Sequence, residues 1–166
     1  MNRLELKLPP ALLFVLVAIG MWGLARVTLR LEIAPLLESA LVLALFIAAA
    51  WIGISAVAAF RRAGTTASPI RPQGASSLVT GGVYQHSRNP MYLALLLLLL
   101  AWAVWLAAPW ALLGPVVFVA WMTRFQIRPE ERALGVHFGP DYQDYCRRTS
   151  RWLSIPGAGR HDEQQG

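Results

Sequence analysis

The stretch "MYLALLLLLLAWAVWLAAPWALLGPVVFVAWMT", residues 91–123, contains no acidic or basic side chain in 33 positions. A single straight helix of this length would extend roughly 50 Å, because an α-helix rises ~1.5 Å per residue. That is far longer than the ~30 Å hydrocarbon core of a bilayer. Pro109 and Pro115 stand near its middle, and proline breaks or kinks a helix. The stretch therefore predicts a tight hairpin of two helices, residues 90–107 and 109–125.

Two further apolar runs, residues 8–25 and 39–60, also lack charged side chains and are each long enough to cross a membrane. The whole chain of 166 residues is 56% hydrophobic and 14% charged, whereas soluble domains carry about 25% charged residues. The predicted fold is all-α, a multi-pass membrane helix bundle with about four transmembrane helices. The first segment is predicted to be retained, since no small-residue cleavage site of a signal peptide follows it.

The arginines predict the orientation of this bundle. Most of them lie in two places: between the second and third apolar segments, and after the fourth. Basic residues favour the cytoplasmic side of a membrane, so both of these regions are predicted to lie in the cytoplasm. A site formed by them, an active site included, would face the cytoplasm. If the protein is bacterial, the integral membrane bundle would lie in the inner membrane. Arg26 and Arg30 are exceptions that fall on the outer side. The net charge of +6 indicates contact with anionic lipid rather than with nucleic acid.

The polar parts of the chain complete one predicted domain, residues 1–152. The loop 61–82 is rich in Gly, Pro, Ser and Thr, which predicts irregular structure. Pro129 predicts the start of a tail helix and Gly139 its end, and a second helix is predicted for residues 141–152. These helices would form a cytoplasmic cap on the bundle. Residues 153–166 are predicted to be a disordered tail. The single cysteine, Cys146, excludes an intramolecular disulfide and a cysteine-rich metal site, and no metal is predicted.

Two polar clusters flank the hairpin, residues 76–92 and 124–138. If the hairpin doubles back, both clusters lie at the same membrane interface, as a ligand pocket requires. Each candidate side chain also has a structural interpretation. Tyr84 and Tyr92 can be aromatic residues of the membrane interface, and Asn89 can cap a helix that begins at Pro90. Arg88 can set the orientation of the chain in the membrane. Glu130 and Glu131 can stabilise the start of a helix through its dipole. Arg128, Glu131 and Arg132 can form ion pairs at helical spacing.

Considered together, the two polar clusters are more informative about function than any single residue. The elements "SSLVTGGVYQHSRNPMY" and "EERALGVHFGPDYQDY" stand on either side of the apolar hairpin. In order and spacing they resemble the isoprenylcysteine carboxyl methyltransferase family and its phospholipid methyltransferase relatives. The resemblance covers residues 76–152. It implies a membrane helix bundle that binds S-adenosyl-L-methionine on its cytoplasmic side, under a cap made by the polar loop and the C-terminal segment.

The resemblance also implies roles for individual residues. The cofactor-binding positions are Leu78, Val79, Tyr84, Asn89, Pro90, Tyr92, Glu130 and Glu131, and the catalytic candidates that contact the acceptor are Arg88, Arg124 and Arg128. Asn89 replaces the usual histidine of the family, and asparagine can form hydrogen bonds but cannot titrate. Gln126 stands where the family has its substrate-side arginine, which leaves open which arginine has that role.

The implied function is S-adenosylmethionine-dependent methyl transfer to a lipid-like or prenylated acceptor that reaches the site from the bilayer. Carboxyl O-methylation of an isoprenylcysteine is the named reaction of the family, and N-methylation of an aminophospholipid is the alternative. A nicotinamide-dependent membrane reductase and a non-enzymatic membrane scaffold are alternatives of other classes.

Overall fold

The computed structural model describes residues 8–64 and 77–154, and within them it contains helices and connecting segments but no strand. The described residues form six α-helices: α1 (Pro10–Val27), α2 (Pro35–Arg62), α3 (Pro90–Leu106), α4 (Leu113–Trp121), α5 (Arg128–Phe138) and α6 (Pro140–Arg148). Short 3₁₀ turns at Gly82–Gln85 and Pro109–Leu112 precede α3 and α4. The predicted all-α membrane bundle is confirmed.

Three continuous helical segments are long and apolar enough to cross a membrane: Pro10–Val27, Pro35–Arg62 and Pro109–Phe138. The fourth apolar helix, α3, is shorter at 17 residues. Each of α1, α2 and α3 has proline in its first turn, where the missing N–H would have no intrahelical partner. Many apolar side chains on α1 and α2 face outward, and Leu36 is 84% exposed. A large exposed apolar surface marks a membrane or protein-interaction site, and on helices of this length it fits a bilayer.

The chain reverses direction directly after α3, as the two prolines predicted. Ala107 adopts the left-handed backbone conformation, with φ +49°, and its N–H donates to the carbonyl of Val104. Pro109 then begins the 3₁₀ turn that leads into α4. The N–H of Leu31, just beyond α1, donates to the Ala107 carbonyl at 2.6 Å. The C-terminal ends of α1 and α3 therefore lie at the same end of the bundle, opposite to the start of α3.

The second arm of the hairpin, which we call the returning helix, begins with α4 and is longer than predicted. Instead of ending near residue 125, it continues through a π-helical turn at Met122–Ile127 into α5. Pro129 cannot donate the hydrogen bond that an α-helix would require at that position. The π turn accommodates this, because the N–H of Arg128 donates five residues back, to the carbonyl of Thr123. Pro129 therefore lies within a continuous helical path rather than at a new start.

The C-terminal segment folds against the bundle, as the predicted cap requires. Gly139, with φ +53°, separates α5 from α6, a conformation that glycine adopts without steric cost. Helix α6 ends at Arg148 rather than at the predicted residue 152, because Thr149 is already extended. Residues 149–154, which we call the strap, then cross the start of α3. Most of the predicted loop and almost all of the predicted disordered tail lie outside the described residues.

Candidate active site

The hairpin brings the two polar clusters together at the start of α3. The hydroxyl of Tyr92, in the first turn of α3, donates to Oε1 of Glu130 on α5 at 2.7 Å. Gln126, one helical turn before Glu130, donates through Nε2 to the same carboxylate oxygen, and its Nε2 lies 3.4 Å from the Tyr92 hydroxyl oxygen. Tyr92 and Gln126 are both buried. The side chains of residues 92 and 130 are therefore in direct contact, although 38 positions separate them.

The neighbouring glutamate, Glu131, has different partners. Arg151 of the strap donates to both of its carboxylate oxygens, from Nε at 2.9 Å and from Nη2 at 2.7 Å. Nη2 of Arg88 lies 3.2 Å from Oε1 of the same carboxylate, and the two side chains are 13% and 16% exposed. The hydrogen bonds from Glu131 raise the pKa of the Arg151 guanidinium. Glu130 and Glu131 thus belong to two separate networks on adjacent sides of one helix.

Asn89 occupies the position before α3 where the sequence allows a helix cap, with Pro90 first in the helix. Its side chain makes no capping hydrogen bond. Its Nδ2 instead donates to the carbonyl of Arg151 at 3.0 Å, and its backbone N–H donates to the hydroxyl of Ser87 at 3.1 Å. The amide of Asn89 therefore joins the start of α3 to the strap.

An aromatic cluster forms the other side of the site. The Tyr84 ring is buried against Phe60, with ring centroids 5.4 Å apart and the planes nearly perpendicular. The Tyr145 hydroxyl donates to the carbonyl of Tyr84 at 2.7 Å. Burial raises the pKa of both tyrosines above the usual value, so each keeps its proton at neutral pH. Leu78 and Val79, the end of the polar loop, pack on this cluster.

The three predicted catalytic arginines lie in different environments. Arg88 is largely buried, pairs with Glu131 and also donates to Sγ of Cys146. Arg124 and Arg128 are exposed on the returning helix. The guanidinium of Arg124 lies over the ring of Phe125, 5.6 Å from its centroid. Arg88 therefore belongs to the internal ion network, and the other two face outward.

Sequence reasoning missed several residues of this region. Ser87 and Arg151 were not candidates, and Gln126 was noted only as a departure from the family pattern. The spacing of four between Gln126 and Glu130 is a signal that could have paired them, since such residues are neighbours on a helix. No comparable local signal identifies Arg151, because its partners Glu131 and Asn89 are 20 and 62 positions away.

The side chains at this end of the bundle have a chemistry that suits S-adenosylmethionine. Glu130 offers a carboxylate for an ammonium group, and buried tyrosine rings can pack on an adenine or beside a sulfonium. Arginine guanidinium groups can bind a carboxylate. Within residues 8–64 and 77–154, no group of three or more His, Cys, Asp or Glu side chains is placed to hold a metal ion.

Comparison with known proteins places this chain among described relatives. The family model described as phospholipid methyltransferase matches residues 37–141, which include Tyr92, Gln126 and Glu130 but not the strap. The chain is also similar to an uncharacterized protein of Haemophilus influenzae, with 46% identity over 63 residues. That alignment covers 38% of this chain and 100% of the relative.

Proposed function

The chain belongs to the phospholipid methyltransferase family, and from this premise we propose that it transfers a methyl group from S-adenosyl-L-methionine to a lipid-like acceptor in the membrane. The observation that carries the proposal is the contact between Tyr92 and Glu130 across the hairpin. This contact joins the motifs on either side of the hairpin, neither of which is specific evidence by itself. Together they form one set of polar side chains at the end of an apolar bundle. A non-enzymatic scaffold would give this buried polar cluster no role.

The proposed cofactor site extends from Leu78 and Val79 through Tyr84 to the start of α3. Glu130 would hold the amino group of the cofactor, with its carboxylate fixed by Tyr92 and Gln126. Asn89 does not titrate, and its amide already binds the strap. We therefore assign it a structural part in the cofactor site, together with Pro90, and not the shuttling of a proton.

The proposed chemistry requires orientation and the exclusion of water more than a reactive side chain. S-adenosylmethionine supplies an electrophilic methyl group when it is bound. Alignment of two reactants can contribute ~7–11 kcal/mol to lowering a barrier. The hydrogen bonds of Glu130 to Tyr92 and Gln126 are made in advance by two different helices, so little reorganisation is needed when a ligand binds.

The acceptor is proposed to reach the site from the bilayer, because a lipid tail gains nothing by leaving it. Arg124 and Arg128 are exposed on the helix that carries Glu130, so either could bind an acidic group of the acceptor. The family description favours a phospholipid amino head group, whereas the motif resemblance also supports the carboxyl group of an isoprenylcysteine. The arginine distribution supports a site that faces the cytoplasm.

Ligand binding tests the cofactor. The protein purified in detergent is titrated by calorimetry with S-adenosylmethionine, S-adenosylhomocysteine and reduced nicotinamide cofactor. We expect the first two to bind, and Glu130→Gln and Tyr92→Phe to raise both dissociation constants at least about tenfold, equivalent to ~1.4 kcal/mol. Glu38→Gln is the matched control, because Glu38 lies at the opposite end of the bundle. Binding of the nicotinamide cofactor alone would indicate a reductase, and binding of none would favour a scaffold.

Product analysis tests the acceptor. Membranes that contain the protein are incubated with methyl-labelled S-adenosylmethionine, and labelled lipid is separated from labelled protein. Base-stable label in a phospholipid head group would identify an N-methyltransferase. Base-labile label, released as methanol from the carboxyl methyl ester of a prenylated cysteine, would identify a carboxyl methyltransferase. Labelling that does not decrease with Glu130→Gln would contradict the proposed site.

A further inference from the structure

The strap, residues 149–154, makes more contacts with the candidate site than a passive tail would. The backbone N–H of Arg88 donates to the carbonyl of Ser150 at 3.0 Å, and the N–H of Ser154 donates to the carbonyl of His86 at 2.7 Å. The strap therefore satisfies the backbone of the segment that leads into α3. It lies beyond the residues that match the family model, so the match assigns nothing to it.

Arg151 is the central residue of the strap. Its carbonyl accepts a hydrogen bond from Nδ2 of Asn89 at 3.0 Å, and Oγ of Ser87 lies 3.5 Å from the same oxygen. Its guanidinium binds both oxygens of Glu131. A two-point contact of this kind restricts orientation as well as distance. One residue thus connects the start of α3 to the helix that carries Glu130.

Glu131 supplies the negative charge between two arginines. Arg88 stands immediately before Asn89, and its Nε is buried without a hydrogen-bond partner among the described residues. If the carboxylate were removed, two guanidinium groups would remain in one partly buried space, and like charges repel more strongly there than in water. The strap, which lies outside the helices, is the element that can move away.

A second contact anchors the far end of the strap. Nε1 of Trp152 donates to the hydroxyl of Thr123 at 3.1 Å, at the π turn that precedes Glu130. The strap is therefore fixed to both arms of the hairpin, to the start of α3 and to the returning helix. A shift of the strap would change the position of Asn89 relative to Glu130.

We propose that Glu131 is a positioning residue of the methyl-transfer site: by pairing with Arg88 and Arg151 it holds the strap across the start of α3, and so fixes Asn89 and Tyr92 relative to Glu130. This inference rests on the proposed function. It gives the adjacent glutamates different tasks, with Glu130 facing the ligand and Glu131 facing the strap.

The experiment uses the full-length protein in detergent with S-adenosylhomocysteine as the probe. Glu131→Gln keeps the shape of the side chain but removes its charge, and Arg151→Ala removes the partner. We expect each variant to raise the dissociation constant about tenfold, the effect of losing roughly one charge-assisted hydrogen bond. The double variant should bind no more weakly than Glu131→Gln alone, because that change already breaks the contact with Arg151. The dissociation constant of Arg151→Lys should lie between those of the native protein and Arg151→Ala, because lysine keeps the charge but cannot form the two-point contact.

Hydrogen exchange of the strap provides a readout that is independent of the ligand. Glu131→Gln should accelerate amide exchange in residues 86–89 and 149–154. The matched control is Arg147→Ala, which breaks the exposed pair with Asp144 on α6 and should change neither exchange there nor ligand binding.

The two readouts separate failure of this inference from failure of the proposed function. If the native protein does not bind the probe, the proposed function fails, and the positioning role that depends on it fails too. If the native protein binds the probe but Glu131→Gln binds it equally well, the proposed function stands and the positioning role is wrong. Unchanged exchange of the strap in Glu131→Gln would also overturn the inference.

Discussion

The contact between α1 and α4 offers a quantitative test of the bundle. Gly114, in the first turn of α4, faces Met21 of α1, which is only 2% exposed. A Cβ atom at position 114 would lie closer than 3.0 Å to Cγ and Sδ of Met21 and 3.2 Å from Cγ1 of Val17. Gly114→Ala therefore requires α1 and α4 to move apart or Met21 to leave its position.

The expected magnitude follows from two opposing effects. Overpacking of a well-packed interior costs typically ~1–3 kcal/mol. Replacement of a helical glycine by alanine returns up to about 1 kcal/mol through backbone propensity. We therefore expect Gly114→Ala to lower the free energy of unfolding by up to about 2 kcal/mol. Gly20→Ala is the control, because a Cβ there meets nothing within 4 Å, and it should be neutral or stabilising.

The assay is unfolding in mixed micelles with increasing dodecyl sulfate, followed by tryptophan fluorescence. Combining Gly114→Ala with Met21→Ala should recover part of the loss, with a coupling energy of ~0.5–3 kcal/mol for residues in contact. If Gly114→Ala were as stable as Gly20→Ala, or if its effect were simply additive with Met21→Ala, the packing of α1 on α4 would be wrong.

Four further predictions concern other groups. Tyr145→Phe removes the buried hydrogen bond to the carbonyl of Tyr84 and should cost ~1–3 kcal/mol in the same unfolding assay. Because burial raises the pKa of both tyrosines, the folded protein binds more protons than the unfolded chain above pH ~10. The contribution of these two tyrosines to stability should therefore be constant below about pH 10 and fall above it, and a melting temperature that rises above pH ~10 would contradict this sign. Trp102→Phe removes the hydrogen bond from Nε1 to the carbonyl of Ala18, at 3.1 Å, and should cost ~0.5–1.5 kcal/mol; an unchanged melting temperature would argue against that contact. Arg88→Ala removes a largely buried guanidinium and should cost ~1–3 kcal/mol, whereas loss of activity with unchanged stability would place it at the acceptor instead.

Much of the fold could be predicted because the membrane leaves few solutions for an apolar chain. Backbone groups in lipid must be satisfied within a helix, so segment length and proline position nearly determine the architecture. Pro90 and Pro109 stand at the starts of helical segments as predicted, and Gly139 stands where the tail turns. Pro129 gave the wrong boundary, because a π turn can accommodate a proline within a helix and no local sequence signal distinguishes that case from a new start.

The candidate site was only partly predictable. The resemblance identified Tyr92 and Glu130, which the structure places in contact, but it treated Glu130 and Glu131 as one pair with one role. Successive residues of a helix point about 100° apart, so the two carboxylates cannot face the same partner. Which one faces α3 and which one faces the strap depends on the rotation of the helix, and that rotation depends on packing.

The sequence alone determined that this chain forms a membrane helix bundle with a hairpin, because hydrophobic length and proline act locally. Only the tertiary structure decided that Asn89 binds Arg151 rather than capping its own helix, and that Arg151 binds Glu131. These contacts join segments 62 and 20 positions apart. A hydrogen bond between residues so far apart in sequence is not signalled by any local pattern of residues. Its partners meet only because of the path that the chain takes between them.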